Sequence, residues 1–223
     1  MAMQRLIVGW SRGGLGYITQ LLTRAGLEAG NTFDHTTSTD NLNDRVARAK
    51  PFEVSPFVVP FLSNPAFHSV PVTFVLRDPM RVFNSLYFHG LFHSEKFSEV
   101  RHSAELHLPN IRSLQGRPAQ TIIAYLDTWL RLASHHRPGI TTLRVESGPM
   151  LLLKSLTGYV PELLPYCPPD VNASYCRQTT LPDQLPNVAR ERMSALLLEL
   201  GYREDYWRPW GGHAHYVTPE WHC

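Results

Sequence analysis

The chain has 223 residues, a hydrophobic fraction of 43%, a charged fraction of 18% and a formal net charge of +2. These proportions exclude a disordered chain and are typical of one globular domain, which we place over residues 1–223. The small net charge does not indicate nucleic-acid binding, and the apolar runs are far shorter than the roughly 20 residues of a membrane span. We therefore expect neither nucleic acid nor a membrane as a partner.

The N-terminal region predicts a strand, a glycine-rich turn and a helix. Residues 5–9 are apolar and end at Gly9, which is typical of a buried parallel strand. The helix that follows has one apolar face and is predicted to end at Gly26. That face consists of Leu15, Ile18, Leu21, Leu22 and Ala25.

The next segments contain a second strand, turn and helix. Residues 31–44 are polar and predict a loop, and residues 51–71 contain five prolines, which leaves room only for short pieces of regular structure. Residues 72–76 predict another buried strand. Pro79 lies at a first-turn helix position, where its missing N–H has no cost. The apolar face of that helix consists of Val82, Phe83, Leu86 and Tyr87.

The rest of the chain continues the alternation of strands and helices. Residues 89–116 are rich in histidine and predict an irregular surface excursion. The elements predicted after them are a helix over 119–134, a strand over 140–145, a helix over 149–156, an irregular stretch over 159–185, a helix over 188–200 and an irregular tail. Alternating strands and helices predict an α/β fold, in which helices flank a single parallel sheet.

The turn after the first strand has the composition of an anion site. It runs from Gly9 to Tyr17 and contains Arg12. Backbone N–H groups at a helix start can bind a phosphate, and an arginine fork can contact two phosphate oxygens. Leu15 and Gly16 stand where a Walker A motif has Lys and Ser or Thr, which argues against an Mg²⁺-dependent ATP or GTP hydrolase. The alternative interpretation is a turn that is glycine-rich only for tight packing.

The turn after the second strand predicts a second anion site. Arg77 lies at the carboxyl end of that strand, where ligands collect on open α/β sheets, and Ser85 lies two helical turns further on. Their guanidinium and hydroxyl groups can share one phosphate; a plain strand-to-helix turn is the alternative. Two such sites on one sheet could hold a nucleotide with phosphates at both ends, such as the sulfuryl donor 3'-phosphoadenosine 5'-phosphosulfate (PAPS).

With these turns in this order, the chain resembles the PAPS-dependent sulfotransferases, especially the compact bacterial type with a P-loop NTPase-like fold. The family's x-[RK]-S-G-T-[TG]-[WY] loop corresponds to residues 12–17, and its R-[DN]-P…S segment to residues 77–79 with Ser85. The resemblance implies that Arg77 and Ser85 hold the 3'-phosphate of PAPS. The residues implied for the 5'-phosphosulfate are Arg12, Gly13, Gly14, Leu15, Gly16 and Tyr17.

The resemblance implies a sulfotransferase that moves a sulfuryl group from PAPS to a hydroxyl or amine of a small-molecule or carbohydrate acceptor, with 3',5'-ADP as product. Looser likenesses over residues 142–158 and 181–202 extend it along nearly the whole chain. The chain departs from the family where Gly13, Leu15 and Gly16 replace Ser and Thr hydroxyls. Backbone N–H groups would then carry more of the 5'-phosphate binding.

Sulfuryl transfer also needs a base for the acceptor proton and cationic groups that stabilise the leaving oxygen. Relatives place the base shortly after the first strand–helix unit or at the end of a middle strand. His35 is the first candidate because imidazole titrates near neutral pH, while Asp34 could orient it or act itself. A solvated turn is the alternative interpretation. Arg12 is the cationic candidate. Further base candidates are His68, His89 and His93.

No metal is expected, because arginines would take the electrostatic role that Mg²⁺ has in kinases. Cys167, Cys176 and Cys223 lack metal-ligand spacing and are interpreted as reduced thiols. Without a signal-peptide pattern before the first strand, we expect a cytoplasmic location. Two alternatives remain open: a P-loop nucleotide or small-molecule kinase, and a non-catalytic nucleotide-binding protein on a degenerate sulfotransferase scaffold.

Overall fold

The structure is a computed structural model, and it describes residues 3–34, 36, 38–90, 98–108, 111, 114, 117–159 and 185–202. The strands are β1 (Arg5–Gly9), β2 (Ala29–Gly30), β3 (Phe52–Val54), β4 (Val72–Leu76) and β5 (Thr141–Arg144). The α-helices are α1 (Leu15–Arg24), α2 (Leu42–Arg48), α3 (Pro79–Phe88), α4 (Ser98–His107), α5 (Pro118–His136), α6 (Pro149–Thr157) and α7 (Asn187–Glu199). Three-residue 3₁₀ turns lie at Val59–Phe61, Pro65–Phe67 and Val145–Ser147.

In the described part of the chain, five strands form one sheet in the order β2-β3-β1-β4-β5, and every neighbouring pair is parallel. The predicted α/β fold with a parallel sheet is therefore confirmed. β1 and β4 have the bounds that their apolar runs predict. None of the described helices is both long and apolar enough to cross a membrane.

Successive residues of β1 point to opposite faces of the sheet, and the two faces pack against different helices. Leu6 and Val8 belong to a core cluster that also includes buried residues of α3, α5 and α7. Ile7 belongs to a second cluster, which packs the sheet against α1 and α6. Successive side chains of a strand point to opposite faces, so a strand covered by helices on both sides must be apolar throughout.

The prediction that residues 89–116 are entirely irregular is wrong, because α4 spans Ser98–His107. The sequence of α4 is polar, and its buried face includes small residues such as Ser103 and Ala104. A face of small side chains gives a weak hydrophobic period, which explains why the helix is not evident from the sequence. The predicted loop over residues 31–44 is also too long at its end, since α2 begins at Leu42.

The proline-rich segment contains β3, which sequence patterning does not single out. The central residue of this three-residue strand, Glu53, is completely buried and interrupts the apolar run. Its carboxylate accepts hydrogen bonds from the backbone N–H groups of Thr32 at 2.7 Å and Lys50 at 2.6 Å. A buried carboxylate requires such donors. Glu53 thereby ties β3 to the loop that follows β2.

Two buried indoles provide a matched test of hydrogen bonding in the core. Trp10 donates its Nε1–H to the Leu126 carbonyl at 2.8 Å, whereas Trp129 has no partner for its Nε1–H among the described residues. Because only Trp10→Phe loses a hydrogen bond, we expect it to lower the free energy of unfolding by about 0.5–1.5 kcal/mol more than Trp129→Phe. Urea denaturation measures both, and equal losses would contradict the assignment.

Candidate functional site

The two predicted anion-binding turns lie side by side at one edge of the sheet. β1 pairs with β3 on one side and β4 on the other. After β1, the chain forms β2 and β3 on one side of β1. It then crosses to the other side, where β4 lies. The carboxyl ends of parallel strands share one edge, and a ligand crevice opens where the connections diverge to opposite sides. The turns after β1 and β4 flank that crevice.

The turn after β1 leaves the start of α1 accessible to an anion. Gly14 is the N-cap residue with φ 93°, and no side chain caps the helix. A Cβ on Gly14 would approach Cγ2 of Val145 to 2.8 Å, so only glycine suits both the left-handed backbone and the close packing. The first N–H groups of a helix lack partners within the helix, and Gly16 in this first turn is exposed. This is the arrangement that binds anions at helix starts.

α5 contacts the turn after β1 through two hydrogen bonds. The Leu126 carbonyl accepts the hydrogen bond from the Trp10 indole, and the backbone N–H of Ser11 donates to the hydroxyl of Tyr125 at 3.1 Å. Burial raises the pKa of Tyr125 to about 12, so its hydroxyl stays protonated at neutral pH. Two hydrogen bonds from one helix therefore fix the position of the loop that carries Arg12.

The turn after β4 differs from the turn after β1 because a side chain caps the helix that follows it. The Asp78 carboxylate caps α3 by accepting the backbone N–H of Met80 at 2.9 Å. Burial raises the pKa of Asp78, while the Met80 N–H and the nearby Arg81 favour its charged form. A carboxylate at this helix start competes with an anion for the same N–H groups. Anion binding at the second turn must therefore come mainly from side chains.

The predicted side chains Arg12, Arg77 and Ser85 meet at this point. The Nε–H of Arg12 donates to Oγ of Ser85 at 2.9 Å, and Nη1 of Arg77 donates to the Arg12 carbonyl at 3.2 Å. Arg12 has φ 65°, a left-handed conformation that few non-glycine residues adopt. The Arg12 side chain thus lies beside the second predicted site, although the sequence assigns it to the first.

The electrostatics around Arg77 favour an anion. Burial lowers the pKa of Arg77; Arg81 and Arg12 lower it further, while the carboxylates of Glu146 and Asp78 raise it. A guanidinium nevertheless stays charged at neutral pH. A bound phosphate would replace part of the lost hydration and reduce the repulsion among the three arginines.

Glu146 is a site residue to which the sequence alone assigns no role. Its Oε1 accepts the backbone N–H of Asp78 at 2.8 Å, and its Oε2 lies 3.4 Å from the Tyr202 hydroxyl. The Arg144 guanidinium stacks 4.6 Å from the Tyr202 ring centre. Glu146, in the 3₁₀ turn that follows β5, thereby ties the second turn to Tyr202, which lies three residues beyond α7. The sequence signals for this role are an acidic residue just beyond a parallel strand and the loose family likeness over residues 142–158.

The base candidates fall in different places. Asp34 follows the carboxyl end of β2, where its carboxylate accepts the Asn31 side-chain amide at 2.8 Å. β2 is two strands from β1, which is roughly 10 Å along the sheet edge. His35 and His93 lie outside the described residues. His68 is exposed and precedes the start of β4, away from the carboxyl edge.

His89 lies at the end of α3, close to Arg12. Its Nδ1 is 2.7 Å from the Ser85 carbonyl, and its Nε2 is 3.5 Å from Nη2 of Arg12. A carbonyl only accepts, so Nδ1 carries the proton and Nε2 is the basic atom of the neutral ring. Among the described histidines, His89 therefore presents a basic nitrogen toward the two turns.

The cap of α3 gives a testable prediction about the second turn. Asp78→Ala removes the hydrogen bond to Met80, and we expect a loss of about 0.5–2 kcal/mol in the free energy of unfolding. Asp78→Asn keeps an oxygen that can accept this hydrogen bond. We therefore expect it to lower the free energy of unfolding by only about a few tenths of a kcal/mol. Chemical denaturation of the two variants measures the difference. If both variants lose the same stability, the charge of Asp78 and not its cap is what stabilises the turn.

Neither a family model nor a curated protein sequence matches this chain. Among solved structures, the chain is similar to a sulfotransferase from Alicyclobacillus acidocaldarius, with 13% sequence identity. The superposition covers 94% of this chain and 100% of that one, with a TM-score of 0.55. At this identity the likeness concerns the fold, and the chain accordingly has a parallel α/β fold of the kind seen in that sulfotransferase.

Proposed function

We propose that the protein is a sulfotransferase that uses PAPS as donor. The observation that supports this most directly is the contact chain from Arg77 to the Arg12 carbonyl and from the Arg12 side chain to Ser85. It joins two strand-to-helix turns into one cationic crevice. A nucleotide with phosphates on both ends of its ribose needs such a pair of anion sites.

The proposed roles follow from the chemistry of each turn. The open start of α1 would bind the 5'-phosphosulfate through backbone N–H groups, with the region from Gly13 to Tyr17 as its frame. Arg77 and Ser85 would bind the 3'-phosphate. Arg12 would contact either group and would stabilise negative charge as the sulfuryl group leaves. PAPS supplies the activated sulfuryl group, and the protein supplies orientation, positive charge and a base for the acceptor proton.

Nucleotide binding tests this proposal. We expect calorimetry to show tighter binding of 3',5'-ADP than of 5'-AMP by roughly 30- to 150-fold, about 2–3 kcal/mol, the scale of charge-assisted hydrogen bonds to one phosphate. Equal affinities for 3',5'-ADP and 5'-AMP would contradict the proposal that the protein binds PAPS as a sulfotransferase. Mg·ATP and ADP belong in the same panel: an affinity for Mg·ATP well above that for 3',5'-ADP would favour the kinase. The kinase alternative leaves the Arg77 and Ser85 cluster without a phosphate to bind.

Turnover separates the enzyme from a non-catalytic nucleotide-binding protein. The test incubates the protein with PAPS labelled in the sulfuryl group and a panel of alcohols, phenols, amines and sugars. Transfer of label to any acceptor supports the enzyme. Preferential 3',5'-ADP binding without transfer to any member of the panel would favour the binding protein, as the loss of hydroxyls at Gly13, Leu15 and Gly16 would allow.

A further inference from the structure

The 3₁₀ turn that follows β5 contacts both anion-binding turns through two consecutive side chains. Val145 packs against Gly14, the N-cap of α1, so closely that a Cβ on Gly14 would lie 2.8 Å from Cγ2 of Val145. Glu146 accepts the backbone N–H of Asp78, the N-cap of α3, at 2.8 Å. β5 is parallel to β4, so its turn lies at the same edge of the sheet. One turn therefore contacts the starts of both helices at the candidate site.

Glu146 completes a helix cap that the sequence of α3 leaves half made. In a capping box, the N-cap side chain accepts an N–H of the first turn, and a Glu or Gln at the third helical position accepts the N–H of the N-cap residue. Asp78 supplies the first half through the Met80 N–H. The third helical residue is Arg81, whose side chain has only donors. The carboxylate of Glu146 supplies the second half from outside the helix.

Both oxygens of the Glu146 carboxylate have partners. Oε1 accepts the N–H of Asp78, and Oε2 lies 3.4 Å from the hydroxyl of Tyr202. Burial raises the pKa of Tyr202, and the carboxylates of Glu146 and Asp78 raise it further, so the hydroxyl remains protonated and can donate. The Tyr202 ring is in turn covered by the Arg144 guanidinium at 4.6 Å. Contacts at both oxygens limit the rotation of the Glu146 side chain.

The hydrogen bond from Asp78 acts on the peptide group next to the proposed phosphate ligand. This N–H belongs to the peptide that joins Arg77 to Asp78. Because a peptide is planar, an acceptor that fixes the direction of its N–H also fixes the position of the Arg77 Cα. The Arg77 side chain leaves from that Cα, and its Nη1 donates to the Arg12 carbonyl at 3.2 Å. Glu146 therefore influences the direction of the guanidinium through the backbone.

We propose that Glu146 is a positioning residue for the second anion site: by accepting the N–H of Asp78, it directs the Arg77 side chain toward the bound phosphate. It acts through geometry and not through its charge, since a carboxylate repels an anion. The role of Arg77 as a phosphate ligand rests on the proposed function, whereas the contact of Glu146 with the turn does not.

Two substitutions separate geometry from charge. Glu146→Gln keeps an oxygen that can accept the N–H but removes the charge, whereas Glu146→Asp keeps the charge on a side chain that is one methylene shorter. We expect Glu146→Asp and Glu146→Ala to lower the preference for 3',5'-ADP over 5'-AMP by about three- to tenfold, the scale of one hydrogen bond. Glu146→Gln should keep the preference within about twofold. Calorimetry measures these ratios, and Glu191→Ala, at an exposed glutamate of α7, is the control.

Hydrogen exchange of the Asp78 amide, measured by NMR without nucleotide, tests the contact itself. The amide should be protected in the unsubstituted protein and in Glu146→Gln. It should exchange at least about tenfold faster in Glu146→Asp and Glu146→Ala, because exchange requires the hydrogen bond to open. The amide of Phe74, in the buried strand β4, should keep its rate in every variant. Faster exchange at Phe74 as well would indicate a general loss of stability and contradict a positioning role.

Four results for the nucleotide preference would overturn the inference. These are an equal loss in Glu146→Gln and Glu146→Asp, which would assign the effect to charge; no loss in any Glu146 variant; an equal loss in Glu191→Ala; and failure of both Glu146→Asp and Glu146→Ala to fold, which would make Glu146 a structural residue. If the unsubstituted protein prefers 3',5'-ADP and all Glu146 variants keep that preference, the inference is wrong and the proposed function stands. If the Asp78 amide responds as expected but the unsubstituted protein binds both nucleotides equally, the contact stands and the proposed function fails.

Discussion

Arg77→Ala is expected to abolish the preference for 3',5'-ADP over 5'-AMP while the protein remains folded. Arg77 lies just beyond β4 and is partly exposed, so this substitution removes no apolar side chain from the core. The affinity for 3',5'-ADP should fall by roughly 30- to 150-fold more than the affinity for 5'-AMP, which is the full contribution of the contact to the second phosphate. Arg77 also donates a hydrogen bond to the Arg12 carbonyl, so the affinity for 5'-AMP should fall by about two- to tenfold. Calorimetry with both nucleotides measures these changes.

Two further variants make this result specific. Arg77→Lys keeps the charge but loses the planar fork, and an intermediate preference is expected. Arg48→Ala, at an exposed arginine of α2, removes a charge far from the crevice and should change neither affinity. A preference that survives in Arg77→Ala would show that the second phosphate is bound elsewhere. If Arg77→Ala and Arg77→Lys both unfold in circular dichroism, Arg77 is a structural residue and the second site is wrong.

The other large effect, on sulfuryl-transfer turnover, is expected from substitution of the proposed general base. We predict that His35→Ala, or failing that Asp34→Asn, lowers sulfuryl-transfer turnover by roughly 10²- to 10⁴-fold, the range of general-base contributions, with little change in 3',5'-ADP affinity. Asp34 follows the carboxyl end of β2, so the loop leaves the sheet on the edge where the two anion-binding turns lie. Glu53, buried under this loop, holds its start through Thr32.

Asp40→Asn is the matched control for this loop, because Asp40 is exposed and its carboxylate accepts a local hydrogen bond from Ser38. It should retain full turnover. If the Asp34→Asn, His35→Ala double variant also keeps full activity, the base is elsewhere. His89 is then the next residue to substitute, since its Nε2 lies 3.5 Å from the Arg12 guanidinium. A loss of nucleotide affinity equal to the loss of turnover would indicate a disrupted loop and not a missing base.

Local patterns in the sequence were sufficient for the main strands and the positions of the turns. Residues 5–9 and 72–76 are continuous apolar runs because both faces of these strands are covered by helices. The apolar face predicted for the first helix is buried at Leu15, Ile18, Leu21 and Leu22. Elements without a strong period were missed: α4 buries small side chains, and β3 has a charged residue at its centre.

The sequence by itself determined which residue types stand at the carboxyl ends of β1 and β4, because strand, turn and helix signals are local. Only the tertiary structure decided how those turns relate. The neighbouring positions of β1 and β4 bring Arg12 and Ser85 to 2.9 Å although 73 residues separate them. The Asp78 carboxylate caps the start of α3, and Glu146, in the turn after β5, accepts the backbone N–H of Asp78. Such contacts depend on strand order and on side-chain direction, which are long-range properties that no local pattern contains.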